Sequence, residues 1–155
     1  MDRFVSSYRN RVDAKGRVSI PAPFRAILAR SGFEDVYLYP ALGQACLDGG
    51  GQSLIEEIYR LIDALPAYSD ERDQLSVALL GDCVALRIDG DGRILLPQQL
   101  IDHAALEGEA VIVGVGHKFQ MWAPGRFDAH LAEARQKARE LKKLLGRPAG
   151  EGERA

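Results

Sequence analysis

The nine residues 13–21, DAKGRVSIP, occur a second time with little change as DGDGRILLP at 89–97. Both stretches read Asp, two variable residues, Gly-Arg, an aliphatic residue, a variable residue, an aliphatic residue and Pro. Asp89 stands 76 residues after Asp13, and Arg93 stands the same 76 residues after Arg17. An internal repeat of this kind predicts a duplicated architecture, which constrains the fold more than any local pattern.

The residues around the first copy predict a β-hairpin. From Tyr8 to Asp13 the residues alternate between two faces, with Tyr8, Asn10 and Val12 opposite the charged side chains, which is the period of a strand. The stretch Asp-Ala-Lys-Gly predicts a tight turn in which Gly16 takes a positive φ. Pro21 ends the second strand and suits the first turn of a helix, where its missing N–H costs nothing.

The second half repeats this order, with VALRID and RILL as strands around the turn GDG and a helix opened by Pro97. DVYLYP, ACL, AVIVGVG and FQMWA predict further strands. An apolar stripe predicts a helix over 52–65, composed of Leu54, Ile58, Leu61, Ile62 and Leu65. Ser69 is a predicted N-cap for a helix over 70–81, and a long amphipathic helix follows Pro124.

These elements predict an α+β fold in which two hairpins bury their apolar faces against each other, because a single hairpin buries too little area to be stable. The first face comprises Val12, Val18 and Ile20, and the second comprises Ile88, Ile94 and Leu96. We expect a first copy with its following helix at 1–68, a second copy with a C-terminal helix at 69–145, and a disordered tail at 146–155.

Charge is distributed unevenly along a chain whose net charge is −2. Residues 1–30 carry seven Lys or Arg against two acids, whereas residues 31–110 carry four against fifteen. Residues 111–155 return to nine against five. This asymmetry predicts one side that faces a polyanion and an opposite side that does not.

Signals for catalysis, metals, cofactors and membranes are weak. No serine lies in a Gly-x-Ser-x-Gly motif, and His103, His117 and His130 lack a neighbouring ligand residue. Cys46 and Cys83 have no paired spacing, which is typical of a reduced cytoplasmic protein. No apolar run approaches the roughly 18 residues of a membrane helix. We therefore expect neither an enzyme, nor a cofactor, nor a membrane partner.

The basic hairpin of the first copy is the better functional candidate. A two-stranded β-ribbon fits the major groove of DNA, and arginine can bind phosphates or pair bidentately with guanine. The predicted DNA contacts are the cations of the first thirty residues other than Arg30: Arg3, Arg9, Arg11, Lys15, Arg17 and Arg25.

The second copy is a weaker candidate for DNA contact. Its outward face has only Arg87 and Arg93, and its turn has Asp91 where the first copy has Lys15. Phosphates repel an acidic turn, so we expect a structural role for this copy. An alternative stays open for both copies: the arginine and aspartate of each motif can form an ion pair across the turn, of the weak kind common on surfaces.

The doubled motif, with VGVGHKFQMW closing the second copy, resembles the MraZ family over roughly residues 4–135. That resemblance implies a swapped-hairpin β-barrel like those of AbrB and MazE-type antitoxins, fused as two copies with peripheral helices. It implies ring-shaped homo-oligomers that bind direct repeats in double-stranded promoter DNA of the division and cell-wall gene cluster, usually repressing it. It places the family's Asp-x-x-x-Arg signature on Asp13 and Arg17, and again on Asp89 and Arg93.

Two segments depart from the family pattern. GGGQSL at 49–54 stands where relatives continue a strand into a segment with Pro and Trp, which leaves the end of the strand near Asp48 open. Asp73-Gln74-Leu75 stands where relatives often carry arginines, which predicts a changed oligomer contact or less positive charge there.

The leading hypothesis is a DNA-binding transcriptional regulator in the cytoplasm, associated with the nucleoid. The alternative is an antitoxin-like or scaffold oligomer whose basic face binds an acidic protein. Phosphate neutralisation gives a steep dependence of affinity on salt, so a salt series separates the two.

Overall fold

The computed structural model describes residues 3–32 and 35–146. Its strands are β1 (Ser7–Arg11), β2 (Arg17–Ser19), β3 (Asp35–Pro40), β4 (Leu47–Gly50), β5 (Val84–Arg87), β6 (Arg93–Leu95), β7 (Glu109–Gly114) and β8 (Phe119–Trp122). Its helices are α1 (Ala22–Arg30), α2 (Gln52–Asp63), α3 (Asp70–Leu80), α4 (Gln98–Ala104) and α5 (Pro124–Leu141). The predicted α+β class is confirmed.

The strands form two antiparallel sheets. One has six strands in the order β1-β7-β8-β4-β3-β5, and the other is the two-stranded pair β2–β6. Because β1 and β5 each have a neighbour on one side only, the hydrogen bonding of the described residues does not close a barrel. The barrel in our prediction is therefore not confirmed.

Most strand pairs join the first half of the chain to the second. β1 pairs with β7, with Tyr8 opposite Ile112, and β3 pairs with β5, with Val36 opposite Leu86. β2 pairs with β6, and β4 pairs with β8. Each half therefore supplies strands that complete the sheets of the other.

The predicted apolar faces meet in the main core. Val18 and Ile20 of the first copy and Ile94 and Leu96 of the second are buried, Val12 is also buried, and Ile88 is half-buried. Three phenylalanines pack beside them with ring centroids 5.2 to 5.6 Å apart: Phe4, Phe24 and Phe119. Such aromatic contacts add to the stabilisation that burial provides.

Helix α2 packs on a second cluster around Tyr39 and Leu79. Its buried residues are Leu54, Ile55, Ile58 and Ile62, so the predicted stripe was wrong in part: Leu61 is exposed and Ile55 is buried. Ile55 lies three residues, or about one helical turn, before Ile58 and faces the same cluster, whereas Leu61 lies at the edge of the stripe and is exposed.

Helix α3 begins as predicted. The Ser69 hydroxyl accepts a hydrogen bond from the Arg72 amide at 3.2 Å, and three acids occupy the first turn. Asp73 and Gln74 of the second family departure are exposed on this helix, and Leu75 is half-buried.

Helix α5 is a separate unit of the structure, and a 3-10 turn over Lys142–Leu144 follows it. Residues 132–146 are all exposed. The predicted disordered tail begins at Gly146, and its other residues lie outside the described part of the chain.

The glycines of the first departure are required by close packing. β4 continues to Gly50, and α2 begins two residues later at Gln52. A Cβ on Gly49 would lie 2.6 Å from Phe119 Cζ and 2.7 Å from Leu38 Cδ2, and one on Gly50 would lie 2.8 Å from Leu54 Cδ2. The strand therefore does not end at Asp48, and glycine lets the core close over it.

Gly49→Ala is expected to destabilise the protein by about 1–3 kcal/mol, because an added methyl group overpacks a closed core. Chemical denaturation followed by circular dichroism measures this. Gly90→Ala is the matched control, since a Cβ on Gly90 would meet no atom within 4 Å. A Gly49→Ala variant as stable as Gly90→Ala would contradict the packing.

Candidate nucleic-acid interface

The β2–β6 ribbon presents both motif arginines on one face. Its register sets Arg17 opposite Leu95, Val18 opposite Ile94 and Ser19 opposite Arg93. Val18 and Ile94 are buried, and directly opposed residues of an antiparallel pair point to the same side. The outward face of the ribbon therefore consists of Arg17, Ser19, Arg93 and Leu95.

A turn with the same hydrogen bonds precedes each arginine. Asp13 Oδ1 accepts from the amides of Lys15 and Arg17, both at 2.9 Å. Asp89 Oδ1 accepts from the amides of Asp91 and Arg93 at 2.8 and 3.0 Å. Gly16 takes the predicted positive φ, at 90°, and Gly92 of the second turn also has a positive φ, at 79°. The Asp-x-x-Gly-Arg motif thus builds one turn twice.

The arginines of the two copies are held differently. Arg17 Nε lies 2.6 Å from Asp13 Oδ2. Arg93 is held by two carboxylates, with Nε 3.6 Å from Asp89 Oδ2 and Nη2 3.2 Å from Asp91 Oδ2. The ion pair across the turn, left open by the sequence, is thus present in both copies. Only the second copy adds an acid at the turn, which offsets more of its arginine's charge.

These turns lower the pKa of their aspartates. The Arg17 amide, followed by the Arg17 side chain and the Lys15 amide, overcomes partial burial and lowers the pKa of Asp13 to about 2. The pKa of Asp89 is also lowered, mainly by the amide of Arg93 and in smaller part by the charge of Arg17. Since a lowered pKa favours the ionised form, Asp13 stabilises its turn at neutral pH, and this contribution is lost as pH falls toward 2.

Each turn is also held by residues of the other copy. The Ile20 amide donates to the Gly92 carbonyl, and the Leu96 amide donates to the Gly16 carbonyl, both at 2.9 Å. The Arg25 guanidinium lies against Gly92 and donates to the Ile20 carbonyl. Ile101, 76 positions after Arg25, lies against Gly16 in the same way. The main contacts of Arg25 therefore hold the second turn in place.

The other predicted cations lie at several distances from the ribbon. Arg9 and Arg11 are exposed on β1, and Arg9 Nη1 lies 3.8 Å from Glu109 Oε2. β1 stays close to the ribbon, because Asn10 Nδ2 donates to the Ser19 carbonyl at 2.8 Å. Lys15 is exposed at the turn.

Arg3 and Arg87 are placed elsewhere. Arg3 lines a cavity of about 340 Å³ with Arg30 and the start of α2. Arg87 lies on β5 opposite Asp35. The structure therefore places Arg17 and Arg93 on one face of the ribbon, with Lys15 in the turn before Arg17. It keeps β1, with Arg9 and Arg11, close to the ribbon and does not bring Arg3 there.

Two features of the structure were missed by sequence reasoning. One is the exposed Leu95 opposite Arg17, which the strand pattern of RILL places on the outward face but which was not among the predicted contacts. The other is the buried carboxylate of Asp48, which Lys118 Nζ contacts at 2.8 Å and Gln120 Nε2 at 3.0 Å. Its signal was an acid next to the apolar Leu47 in β4 and a lysine directly before the mainly apolar β8.

Metal-ligating residues do not cluster in the part of the chain that the structure describes. No group of three or more His, Cys, Asp or Glu residues there could hold a metal ion. Cys46 and Cys83 are free, and burial raises the pKa of Cys46 to about 12. No described helix combines the length and apolar character needed to cross a membrane.

Comparison with known proteins places the chain among bacterial regulators. Residues 79–145 match the family described as "MraZ protein, putative antitoxin-like". The chain is 52% identical over 145 residues to the transcriptional regulator MraZ of Methylocella silvestris, covering 94% of this chain and 88% of that protein. It is 51% identical over 150 residues to the protein of the same name from Azorhizobium caulinodans, covering 97% and 96%.

A more distant relative of the same name, from Rickettsia akari, is 43% identical and covers 94% of this chain and 97% of that protein. Among solved structures, the solution structure of PHS018 from Pyrococcus horikoshii aligns at 15% identity with a TM-score of 0.32, covering 76% of this chain and 95% of that one. That similarity carries no weight for the fold.

Proposed function

The chain belongs to the MraZ family, and from that premise we propose that it is a transcriptional regulator that binds promoter DNA through the β2–β6 ribbon. The observation that carries this proposal is the outward face that holds both Arg17 and Arg93, with the exposed Lys15 in the turn before Arg17. A two-stranded ribbon has the width that the major groove admits. Arginine side chains on the outward face of such a ribbon can pair with guanine.

The fold that we propose for this function is a tandem swapped hairpin, with copies at 1–68 and 69–145. Three features support it: the strand pairs that join the halves, the equivalent turns, and the reciprocal amide hydrogen bonds to Gly16 and Gly92. Such a fusion places two similar turns at opposite ends of one antiparallel ribbon.

The two copies are proposed to contribute unequally to binding. Lys15 adds a cation to the first turn, whereas Asp91 adds an anion to the second and holds Arg93. Arg9 and Arg11 of β1 extend the cationic surface toward phosphates. Arg25 is proposed to act mainly by positioning the second turn and not by touching DNA. If Arg3 contacts DNA, it does so from a surface other than the ribbon.

The wider regulatory proposal follows from family membership. We propose a ring-shaped homo-oligomer that engages direct repeats upstream of the division and cell-wall gene cluster and represses it. A cytoplasmic, nucleoid-associated location goes with this role. The support for assembly is electrostatic. One subunit has a net negative charge and only a small cationic face, so it binds a polyanion weakly, whereas several subunits present several such faces together.

The alternative is an antitoxin-like or scaffold oligomer that binds a protein. The matching family is described as antitoxin-like, which supports this alternative. In that case the ribbon would meet an acidic protein surface, and binding to DNA would be weak and independent of sequence.

Arg17→Ala is expected to weaken DNA binding by about 1–3 kcal/mol per subunit if the side chain pairs with a base, and Arg93→Ala is expected to weaken it less. A shift assay on the DNA upstream of the chain's own gene, repeated over a salt series, measures both effects. Arg60→Ala on α2 removes the same charge from an exposed position outside the ribbon and is the matched control.

Three results would count against these proposals. Equal losses for Arg17→Ala and Arg93→Ala at unchanged stability would refute the asymmetry between copies. An Arg60→Ala loss as large as that of Arg17→Ala would move the contact away from the ribbon. A flat salt dependence, or no preference for the upstream DNA over a scrambled duplex, would favour the protein-binding alternative.

A further inference from the structure

Leu95 is an exposed apolar side chain on the face of the ribbon that also carries Arg17 and Arg93. It is 58% exposed, whereas its neighbours Ile94 and Leu96 are 1% and 3% exposed. It stands directly opposite Arg17 in the ribbon, and its Cδ1 lies over the turn at Gly16. Leu95 adds nothing to the core, so its contribution to folding does not explain why leucine occupies this position.

The two halves of the outward face differ at this position. The residue 76 positions before Leu95 is Ser19, and Ser19 stands opposite Arg93. One half of the ribbon therefore pairs an arginine with an exposed leucine, and the other pairs an arginine with a half-buried serine. A surface made only to attract phosphates would gain nothing from the leucine.

The major groove offers one apolar group for such a side chain. Guanine, cytosine and adenine present hydrogen-bond donors and acceptors there, whereas thymine also presents its C5 methyl group. Directly opposed side chains in a sheet are about 5 Å apart at Cβ, so Arg17 and Leu95 can reach the same or adjacent base pairs. Leucine makes contact with a methyl group favourable because both surfaces leave water.

We propose that Leu95 reads the C5 methyl group of a thymine at or next to the base pair that Arg17 contacts. This inference rests on the proposed function, because it requires the ribbon to lie in the major groove. It makes the second copy a source of sequence specificity through an apolar contact, even though its arginine is held by two acids. Ser19 makes the other half of the face indifferent to the methyl group.

The test removes only the thymine methyl groups. The upstream DNA is prepared twice by polymerase chain reaction, once with thymidine and once with deoxyuridine triphosphate, and the dissociation constants are compared. The wild-type chain is expected to bind the uracil duplex at least about fourfold more weakly, the equivalent of one buried methyl group. Leu95→Ser, which copies the other half of the face, is expected to bind both duplexes equally.

Leu61→Ser is the matched control, since Leu61 is 55% exposed on α2 and lies outside the ribbon. It should keep the full preference for thymine. Because uracil also alters DNA shape slightly, the decisive quantity is the coupling between the two changes in a double-mutant cycle.

The outcomes separate this inference from the proposed function. If the wild-type chain binds neither duplex, DNA binding itself is refuted. If it binds both equally, or if Leu95→Ser keeps the wild-type preference, DNA binding stands and the methyl contact is refuted. A Leu95→Ser variant with an altered mass by light scattering and an unchanged preference would show instead that Leu95 contacts protein.

Discussion

Residues 1–68 expressed alone are expected to fail as a stable monomer. In the full chain β1 pairs with β7, β2 with β6 and β4 with β8, so the fragment loses every one of these partners. Val18 and Ile20, which are 1% and 0% exposed, would face water unless a second fragment covered them. A hairpin with an open apolar face lacks the buried area for independent stability.

Circular dichroism and light scattering on the purified fragment measure this, with the full chain as control. We expect the fragment either to be unfolded or to associate with itself. Addition of residues 69–145 is expected to restore a cooperative unfolding transition, because that segment supplies the missing strands. A monomeric fragment that unfolds cooperatively by itself would refute the fused two-copy architecture.

The features that could be predicted from sequence are those encoded within a few residues. Asp13 accepts hydrogen bonds from the amides two and four positions later, and Gly16 supplies the positive φ. The motif alone therefore predicts the turn. The same holds for the Ser69 cap of α3. Repetition of the motif then predicted two equivalent turns without knowledge of any long-range contact.

The features that could not be predicted depend on contacts between distant segments. Gly49 is required because Phe119 and Leu38 approach it, and nothing near Gly49 in sequence reveals those neighbours. Arg25 looked like one more cation of a basic segment, yet its guanidinium lies on Gly92. The prediction that Leu61 is buried, where the structure buries Ile55, failed because the sequence does not show which side of α2 faces the second cluster.

The buried Asp48 shows the same limit. Its partners Lys118 and Gln120 lie 70 and 72 residues away in sequence and are brought close by the pairing of β4 with β8. A buried carboxylate without such partners would be strongly destabilising, so the strand register and the side-chain chemistry support each other. Sequence alone gives the residue types but not the register that joins them.

Affinity for DNA is expected to rise steeply with the number of operator repeats. A single ribbon offers few cations: Lys15 is exposed, Arg17 is paired with one carboxylate, Asp13, and Arg93 is held by two, Asp89 and Asp91. The chain as a whole carries a net charge of −2, so one subunit should bind a polyanion weakly. In a ring, later contacts become intramolecular, which can raise avidity by about 10²–10⁴ without any new type of contact.

The symmetry of a ring also predicts the arrangement of the operator. Neighbouring subunits of a cyclic assembly present the same face in the same sense, so the repeats should be direct, whereas a two-fold dimer requires a palindrome. Their spacing should lie near multiples of a helical turn, or be shorter where the DNA bends to follow the ring.

Shift assays and footprints on duplexes of equal length, carrying one, two and three copies of the repeat, measure this prediction. Arg17→Ala provides the control. Because avidity depends on a contact made by each subunit, the affinity of this variant should rise far less with repeat number than that of the wild-type chain. An inverted pair tests the sense of the repeats. If affinity does not climb from one repeat to three, or if the inverted pair binds best, a ring acting on direct repeats is refuted. The ribbon would then work from a two-fold assembly or from a single subunit.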